Sequence, residues 1–430
     1  MSSFLRDLRA GHLSGRRGGV FSVCSSHPEV LAAAVCYARE EGIPLLIEAT
    51  AAQVNPQGGY SGMTPADFSA RLAALAEGLG LGRENLVLGA DHLGPYVWRE
   101  KPSAEALARA AELARHCVAA GFQKLHIDAS AACRDDPPPA PDPQTAARRT
   151  ALLCRMAEEE AARRDDGAGR PLYVIGSDVP PPGGRPGLPR EIKVTRPEQV
   201  AEFLSLVKEE FRRQGIEDAW ERILAVVVQP GVDFGHEGAA PYRPGRAAAL
   251  SGYHAALPGI MTYEVHSTDY QSPESLARLV ADHFTILKVG PCLTDAFREA
   301  VFHLEELEIE LARRRPGLAP SGLRSVLLRV MQEDPAHWRE YYRGSEEEIR
   351  ELLLSSRLDR VRYYWARPEV EAALTRLFAN LSPAIPEEWI VRLSAGPSDR
   401  AGELPRRLTA ADWVRRRIQA ALRPYREACR

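Results

Sequence analysis

Residues 86–95 read LVLGADHLGP, an apolar run that ends in the polar pair Asp91-His92. The chain holds seven more runs of this kind: GVFSVCSSH (19–27), PLLIEAT (44–50), KLHIDAS (124–130), LYVIGSD (172–178), LAVVVQPG (224–231), MTYEVHSTD (261–269) and FTILKVGP (284–291). Near-continuous Val/Ile/Leu runs are typical of parallel strands, because helices cover both faces of such a sheet. Polar residues at the strand ends are where a (β/α)8 barrel places its active site. The runs therefore predict eight barrel strands with a functional site at their carboxyl ends.

Helical segments alternate with these runs, as right-handed βαβ units require. One such segment opens at Thr64-Pro65, with a threonine cap, a proline at the first position and Asp67 three residues after the cap. We expect the sheet to close, because an open doubly wound sheet would gather its polar groups at one switch point. The strand signals stop after about residue 295. The predicted fold is α/β: a (β/α)8 TIM barrel in residues 1–295 and a mainly helical C-terminal region in residues 296–430.

Composition excludes several classes of protein. The net charge of −3 over 430 residues gives no indication of a nucleic-acid or anionic-membrane partner. No apolar stretch approaches the roughly 20 residues of a membrane span, and the N-terminus lacks the apolar core of a signal peptide. The seven cysteines show no CxxC spacing, as expected of reduced and mostly buried thiols. We therefore expect a cytoplasmic protein that binds neither nucleic acid nor membranes.

The strand ends carry residues that could hold a divalent metal ion. His92 and His266 lie at the ends of the third and seventh runs, and Asp178 and Gln229 lie at the ends of the fifth and sixth. In a closed barrel these ends converge on one mouth, although the residues are far apart in sequence. Imidazoles with carboxylate or amide oxygens suit Zn²⁺, Mn²⁺ or Co²⁺, and Ni²⁺ and Mg²⁺ also remain open. The alternative for any one of these residues is a hydrogen-bonded polar group that closes its strand.

Three further acids, Glu48, Asp128 and Glu264, lie in or at the end of strand runs. One of them could act as a general base, or each could orient a metal-bound histidine. Strand alternation places Lys124, His126 and Asp128 on one side of their strand. We expect that side to be the barrel interior, because helices cover the outer face.

Lys288 and Gly290 end the eighth run, the region where barrels commonly bind phosphate. A lysine there would act as a point charge for an anionic substrate, and the glycine would let the backbone approach closely. Lys288 could instead pair with an acid of the first or second strand. A Schiff-base role for Lys124 or Lys288 is a further alternative, redundant beside a metal ion. We also place Lys124 and Ser267 among the candidate substrate contacts.

Two polar segments lie outside the strands. The loop NPQGGYSG (55–62) could bind substrate hydroxyls or phosphate through Asn55 and Gln57, or could simply form a turn. The segment RVRYYW (360–365) combines basic and aromatic side chains. For this segment we favour helix-end packing or a subunit contact over ligand contact.

Several segments together resemble the GatZ/KbaZ family. They are SVCSSHP, LIEAT, NPQGGYSGMTPADF, LGADHLGP, HIDAS, YVIGSDVPPPGG, VVVQPGVDF, YEVHSTDYQ, ILKVGP and DRVRYYW, and they span nearly the whole chain. Members of this family are described as accessory subunits of D-tagatose-1,6-bisphosphate aldolase. Some relatives are instead regarded as sugar-phosphate 4-epimerases that interconvert fructose 6-phosphate and tagatose 6-phosphate. The family is similar to class II aldolases, which are metal-dependent barrels.

The resemblance implies roles for the strand-end residues. Asp91 would be the acid/base, and His92 and His266 would be metal ligands. Two departures are also implied: Gln229 stands where an aldolase would place a third histidine, and Asp178 stands where relatives more often carry glutamate. These departures disfavour simple aldol cleavage, although they do not disfavour metal binding.

We therefore expect a metal-dependent ketohexose-phosphate 4-epimerase, an isomerase acting by retro-aldol and aldol chemistry at C3–C4. Asp91, Glu48 and Asp128 are the catalytic candidates, and no nicotinamide fingerprint supports an oxidative route. The main alternative is a non-catalytic accessory subunit of class II D-tagatose-1,6-bisphosphate aldolase. A bisphosphate aldolase acting alone is disfavoured by the missing histidine. The expected partners are a sugar-phosphate substrate, further copies of the chain in a homo-oligomer and, in the alternative, an aldolase subunit.

Overall fold

The computed structural model describes residues 3–164, 169–176, 183–187, 192–385, 389 and 407–430. Eight parallel strands close into a barrel: β1 Val20–Cys24, β2 Leu45–Thr50, β3 Leu86–Leu93, β4 Lys124–Asp128, β5 Leu172–Gly176, β6 Ile223–Val227, β7 Thr262–Val265 and β8 Phe284–Val289. Each strand pairs with the next one along the chain, and β8 closes the barrel by pairing with β1. A short antiparallel hairpin, Asp233–Phe234 with Ala239–Ala240, lies outside the barrel sheet. The predicted (β/α)8 barrel is confirmed.

A helix follows each barrel strand: α3 Pro28–Glu41, α4 Pro65–Gly78, α5 Ser103–Ala119, α6 Pro143–Ala161, α7 Pro197–Arg213, α8 Pro244–Tyr253, α9 Pro273–Ala281 and α10 Pro291–Arg314. All of these except α5 begin with a proline, whose fixed φ and missing N–H suit the first turn of a helix. The cap predicted at Thr64 is present, because its side chain accepts the Asp67 N–H and the Asp67 carboxylate accepts the Thr64 N–H.

The remaining helices lie at the two ends of the chain. They are α1 Ser3–Arg6, α2 Leu8–Leu13, α11 Leu323–Glu333, α12 Glu346–Ser355, α13 Pro368–Asn380 and α14 Ala410–Ala428. None of the helices in the described part of the chain is long and apolar enough to cross a membrane. Leu5 of α1 is fully buried against side chains of the barrel interior, so the first helix covers the amino end of the barrel.

The helical C-terminal region and the barrel share one hydrophobic core. Helix α10 spans 291–314, so the boundary that the sequence suggests at residue 295 falls inside a continuous helix. Helix α14 packs against α3, α9 and α10 and thereby joins the outer layer of the barrel. The Tyr425 hydroxyl of α14 donates to the Thr268 carbonyl at 2.8 Å, directly beyond β7. The C-terminal region therefore reaches the carboxyl ends of the strands, where the site lies.

Three histidines contact one another near the amino ends of β7 and β8. Nδ1 of His12 lies 2.9 Å from Nδ1 of His283, and the rings of His254 and His283 stack at 4.6 Å. Burial lowers the pKa of all three, that of His254 to about 3. All three imidazoles are therefore neutral in the folded protein at pH 7.

This histidine cluster predicts acid sensitivity. Below the ordinary histidine pKa of about 6.5, the unfolded chain binds protons that the folded chain excludes, so stability falls from there down to about pH 3. His254 alone should account for about 2 kcal/mol at pH 5. Thermal unfolding midpoints at pH 7 and pH 5 measure the effect. His254→Leu should show a smaller decrease than the unmodified protein, and an equal decrease in both would contradict the assignment.

Candidate functional site

Three imidazoles converge at the carboxyl ends of the strands. His92 comes from β3, His126 from β4 and His266 follows β7, and none of them is more than 5% exposed. Their ring centroids are separated by 4.9–5.1 Å. One ligand nitrogen of each lies within 4.8 Å of the others, which allows a single ion to contact all three. The two predicted histidines are brought together, and His126 joins them as a third.

Carboxylates orient two of these imidazoles. Asp128 Oδ2 lies 2.8 Å from Nδ1 of His92, and Asp91 Oδ1 lies 2.8 Å from Nδ1 of His126. With Nδ1 protonated and donating, Nε2 of each ring keeps a free lone pair. Nε2 of His126 is buried and has no hydrogen-bond partner among the described residues. Metal-binding histidines commonly hold their second nitrogen against a carboxylate in this way, so the arrangement fits a metal ion.

His266 completes the trio from the other side of the barrel mouth. Its Nε2 lies 3.1 Å from Oε1 of Glu264 and 4.0 Å from Oδ1 of Asp91. Burial outweighs these carboxylates and lowers the pKa of His266 to about 4. The ring is therefore neutral at pH 7 and keeps a lone pair for a cation. Asp91, His126, Glu264 and His266 form a second group whose ligand atoms lie within 4.8 Å of one another.

The backbone is strained where these side chains leave the strands. His92 has φ +53° and Ser267 has φ +55°, both in the left-handed region although neither residue is glycine. Non-glycine residues seldom adopt this conformation, and such strain persists mainly at functional sites.

A network of lysines and carboxylates fills the barrel beside the imidazoles. Nζ of Lys124 lies 2.7 Å from both Glu48 and Glu264, and Nζ of Lys288 lies 2.6 Å from Glu48 and 3.0 Å from Asp91. All five side chains are buried. Isolated charges are costly in such surroundings, so each lysine is matched by two or more acids. Lys288 thus makes the carboxylate pairing that the sequence offers as the alternative to phosphate binding.

The buried charges of this cluster do not balance by themselves. The carboxylates of Glu48, Asp91, Asp128 and Glu264 outnumber the ammonium groups of Lys124 and Lys288 by two. The neutral imidazoles that a metal ion requires would leave the cluster with a formal charge of −2, whereas without an ion the carboxylates of Asp91 and Asp128 overcome the effect of burial and raise the pKa of His92. A divalent cation held by the three imidazoles would cancel that charge, which is a second reason why the residues fit a metal ion.

Asp91 is the carboxylate at the centre of the cluster. Burial alone would raise its pKa, but His92, Lys288 and His126 hold that pKa well below its usual range. Burial would likewise lower the pKa of Lys288, whereas the carboxylates of Asp91 and Glu48 raise it well above its ordinary value. Asp91 is therefore ionised and Lys288 protonated at neutral pH.

The contact between Asp128 and His92 predicts a defined effect on metal affinity. Asp128→Asn should weaken binding of Zn²⁺ about 10- to 100-fold, because it removes the carboxylate that fixes the His92 tautomer. Competition with a chromophoric chelator measures the dissociation constant. Asp136→Asn is the matched control, since Asp136 pairs with Arg149 on another part of the molecule. Equal Zn²⁺ affinity in both variants would contradict a role for Asp128 in the site.

The other two predicted metal ligands are Gln229 and Asp178. The side-chain oxygen of Gln229 accepts the N–H groups of Gly231 (2.7 Å) and Val232 (2.8 Å), so it braces its own turn. Its Nε2 is buried without a hydrogen-bond partner among the described residues. Asp178 lies outside the described residues.

Two of the predicted substrate contacts, Asn55 and Gly290, form hydrogen bonds within the protein. Oδ1 of Asn55 accepts the N–H groups of Gln57 (3.0 Å) and Gly59 (3.1 Å), which shapes the loop after β2. The N–H of Gly290 donates to Asp269 Oδ1 at 3.0 Å, and Asp269 also accepts the N–H of Cys292. The amide groups at the start of α10 are thus occupied by a protein carboxylate.

A cavity of about 730 Å³ opens over the imidazoles, within the range typical of small-molecule sites. Asp91, His92, His266, Ser267, Lys288, Gly290 and Asn55 are among the residues that line it. Lys124 is fully buried between Glu48 and Glu264 instead. The segment 360–365, for which the sequence favours a packing role, supplies Arg360, Arg362, Tyr363 and Trp365 to the cavity wall.

His126 and the arginines of the 360–365 segment have no site role predicted from the sequence. His126 shares the inward parity of Lys124 and Asp128, and that alternation is the signal that could have identified it as a third imidazole. The arginines at 360 and 362 offer a weaker signal, because nothing in the sequence places a distant helical region over the barrel mouth.

The chain matches one family model and several solved structures. The family model described as "D-tagatose-1,6-bisphosphate aldolase subunit GatZ/KbaZ-like" matches residues 5–430. The chain is similar to the crystal structure of a probable tagatose 6 phosphate kinase from Sinorhizobium meliloti 1021, with 40% identity over 96% of this chain and 100% of that chain and a TM-score of 0.84. It also matches the YdjI aldolase from Escherichia coli K12 at 12% identity, over 85% of this chain and 98% of that one, with a TM-score of 0.42. The fructose-bisphosphate aldolase of Campylobacter jejuni matches at 12% identity, over 88% and 94%, with a TM-score of 0.43.

Proposed function

This chain belongs to the D-tagatose-1,6-bisphosphate aldolase subunit GatZ/KbaZ-like family, and from that premise we propose that it is a metal-dependent ketohexose-phosphate 4-epimerase. The substrates would be fructose 6-phosphate and tagatose 6-phosphate. The observation that carries the proposal is the convergence of three imidazoles and one ionised carboxylate at the base of a cavity large enough for a sugar phosphate, with His92, His266 and Asp91 in its wall and His126 buried behind them.

His92, His126 and His266 are the residues that would hold the metal ion. Nitrogen ligands favour Zn²⁺, Mn²⁺, Co²⁺ or Ni²⁺ over Mg²⁺, which prefers oxygen. When bound, the ion would polarise the ketose carbonyl as a Lewis acid. In this proposal His126 takes the position that the sequence suggests for Gln229.

Asp91 would act as the acid/base at C4. Its carboxylate takes the proton of the C4 hydroxyl, the C3–C4 bond breaks, and the bonding electrons move towards the C2 carbonyl to give a three-carbon enediolate and an aldehyde. The aldehyde rotates, C3 adds to its opposite face, and the new C4 alkoxide takes the proton back from Asp91. No atom is gained or lost, and C4 is inverted.

The other two acids predicted as catalytic would act as positioning residues. Asp128 holds the imidazole of His92, and Glu48 holds the ammonium groups of Lys124 and Lys288. Lys288 in turn keeps Asp91 ionised from 3.0 Å away.

The alternative is an accessory role, since the family description names an aldolase subunit. The test is to incubate the metal-loaded protein alone with fructose 6-phosphate and to resolve the products by chromatography. We expect tagatose 6-phosphate to form, to disappear after chelation and to return when metal is restored. Failure to turn over alone, together with a raised activity of a co-purified tagatose-bisphosphate aldolase, would overturn the proposal and favour the accessory subunit.

A further inference from the structure

A second charged cluster faces the same cavity and has no part in the chemistry at C3–C4. Arg360 and Arg362 lie in a short 3-10 turn, Arg360–Tyr363, and both line the cavity. Arg360 is only 5% exposed, and its guanidinium lies 3.8 Å from the ring centre of Tyr341 and 4.5 Å from that of Tyr363. The guanidinium of Arg362 lies 4.7 Å from the Tyr363 ring.

Among the described residues, neither Arg360 nor Arg362 forms an ion pair with a carboxylate. Arg360 donates through Nε to the His337 carbonyl, and its Nη1 is buried without a hydrogen-bond partner there. Arg362 donates through Nη1 to the Leu358 carbonyl at 2.6 Å. Two partly desolvated cations without a counter-ion make a site that favours an anion, and guanidinium groups match the oxygen geometry of phosphate.

The backbone that carries the arginines is anchored from the barrel side. Asp359, the residue before Arg360, has φ +45° and is fully buried. Its carboxylate accepts hydrogen bonds from Arg298 (2.9 Å) and from the Thr294 hydroxyl, and both donors lie on α10. Such strain persists only where surrounding contacts enforce it, so the position of the arginines is built into the fold.

The loop opposite the arginines leaves room for them. A Cβ at Gly183, which has φ +90° and also lines the cavity, would collide with Nη2 of Arg362 and would lie 3.4 Å from Nη1 of Arg360. A larger residue at position 183 would therefore require the guanidinium group of Arg362 to move.

Arg360 and Arg362 also act on the hydroxyl of Tyr363. Burial alone would raise the pKa of Tyr363, but Arg360 and Arg362 lower that pKa below its ordinary value. The ring of Tyr60 lies 4.5 Å from that of Tyr363, so a second phenol borders the same positive region.

The residues at the end of β8 are less suited to binding an anion than Arg360 and Arg362 are. Nζ of Lys288 lies within 3.8 Å of three carboxylates, those of Glu48, Asp91 and Glu264. The N–H groups at the start of α10 donate to Asp269. An incoming phosphate would have to displace these partners, whereas at the arginines it would meet unpaired charge.

We propose that Arg360 and Arg362 form the subsite that binds the phosphate group of the sugar substrate. This inference rests on the proposed function and names how that site takes its substrate. The C-terminal region would thus contribute the phosphate subsite, while the barrel contributes the metal and proton-transfer groups.

The test measures binding without turnover. Glucitol 6-phosphate carries the same phosphate but no carbonyl, so it can bind but cannot react. Isothermal titration calorimetry on the metal-loaded protein should show at least a tenfold weaker dissociation constant for glucitol 6-phosphate in Arg360→Met and in Arg362→Met. Arg357→Met is the matched control, because Arg357 precedes the turn and its guanidinium contacts Tyr270 and the Glu237 carbonyl instead. The control should bind as the unmodified protein does.

Two further measurements distinguish loss of the phosphate subsite from misfolding and from binding of inorganic phosphate alone. Arg362→Lys retains the positive charge, so it should fold, yet it should bind glucitol 6-phosphate at least threefold more weakly because it loses the two-pronged geometry. Inorganic phosphate is titrated in parallel. Unchanged affinity for glucitol 6-phosphate in all arginine variants, or loss of affinity for inorganic phosphate alone, would overturn the subsite. A protein that binds glucitol 6-phosphate through these arginines but does not epimerise fructose 6-phosphate would keep the subsite and overturn the proposed function.

Discussion

The Asp91→Asn variant is expected to lose about 10²- to 10⁴-fold in kcat for conversion of fructose 6-phosphate to tagatose 6-phosphate, the usual contribution of a general acid/base. Asparagine keeps the size of the side chain but cannot take the C4 hydroxyl proton. The three imidazoles of His92, His126 and His266 remain, so the variant should still bind a metal ion, but about 10- to 100-fold more weakly because Asp91 orients His126; the kinetics are therefore measured at saturating metal. Steady-state kinetics and metal content measured on the same preparation separate the two effects.

The control for Asp91→Asn is Asp136→Asn, which removes a carboxylate that pairs with Arg149 and lines no part of the cavity. It should leave kcat within about twofold of the unmodified protein. A variant at Asp91 that retains more than a tenth of the activity would contradict the assignment of acid/base chemistry to this residue. A variant that binds no metal ion even at saturating concentration would instead assign Asp91 to the ligand set.

Lys124→Met is expected to lower the free energy of unfolding by about 3–5 kcal/mol, the range for breaking a buried ion pair from one side. Lys124 is 0% exposed and lies 2.7 Å from each of Glu48 and Glu264, which are also fully buried. Methionine fills much of the volume but leaves those two carboxylates with Lys288 as their remaining cation. Urea denaturation monitored by circular dichroism measures the change.

A compensating variant tests the cause. Lys124→Met/Glu264→Gln removes one carboxylate together with the cation, so it should regain part of the lost stability. Lys208→Met replaces an exposed lysine of α7 and should change stability by less than about 1 kcal/mol. A loss below 1 kcal/mol in Lys124→Met, or no recovery in the double variant, would show that the buried network does not depend on this ammonium group.

The fold could be predicted because its signal is local. Each barrel strand is a short apolar run, and proline, capping residues and polar strand ends mark the elements between them. The division at residue 295 is placed where the strand signals stop, and it stays a prediction. The continuation of α10 through that position and the packing of α14 onto the barrel follow from tertiary contacts, which local pattern does not show.

The sequence predicts the site residues that lie at strand ends or on the inward-facing side of a strand. Asp91, His92 and His266 are placed together by the barrel topology alone. The position of His126 could not be predicted from alternation alone. Alternation indicates that a side chain faces the barrel interior, but not its position along the barrel axis. The β3–β4 register shifts between Ala90 and Leu93, next to His92, and such an irregularity is not visible in the sequence. The assignment of Gln229 reflects the same limit, since the turn that uses its amide oxygen is a backbone feature.

The most direct test of the central claim follows the hydrogen on C4. Fructose 6-phosphate carrying deuterium at C4 is incubated with the metal-loaded protein in ordinary water, and the product is examined by NMR. Cleavage and re-formation of the C3–C4 bond never break the C4–H bond, so we expect tagatose 6-phosphate that retains its deuterium at C4. Tagatose 6-phosphate with hydrogen at C4, or no tagatose 6-phosphate from the protein alone, would contradict an aldol-type epimerisation at Asp91 and the three imidazoles.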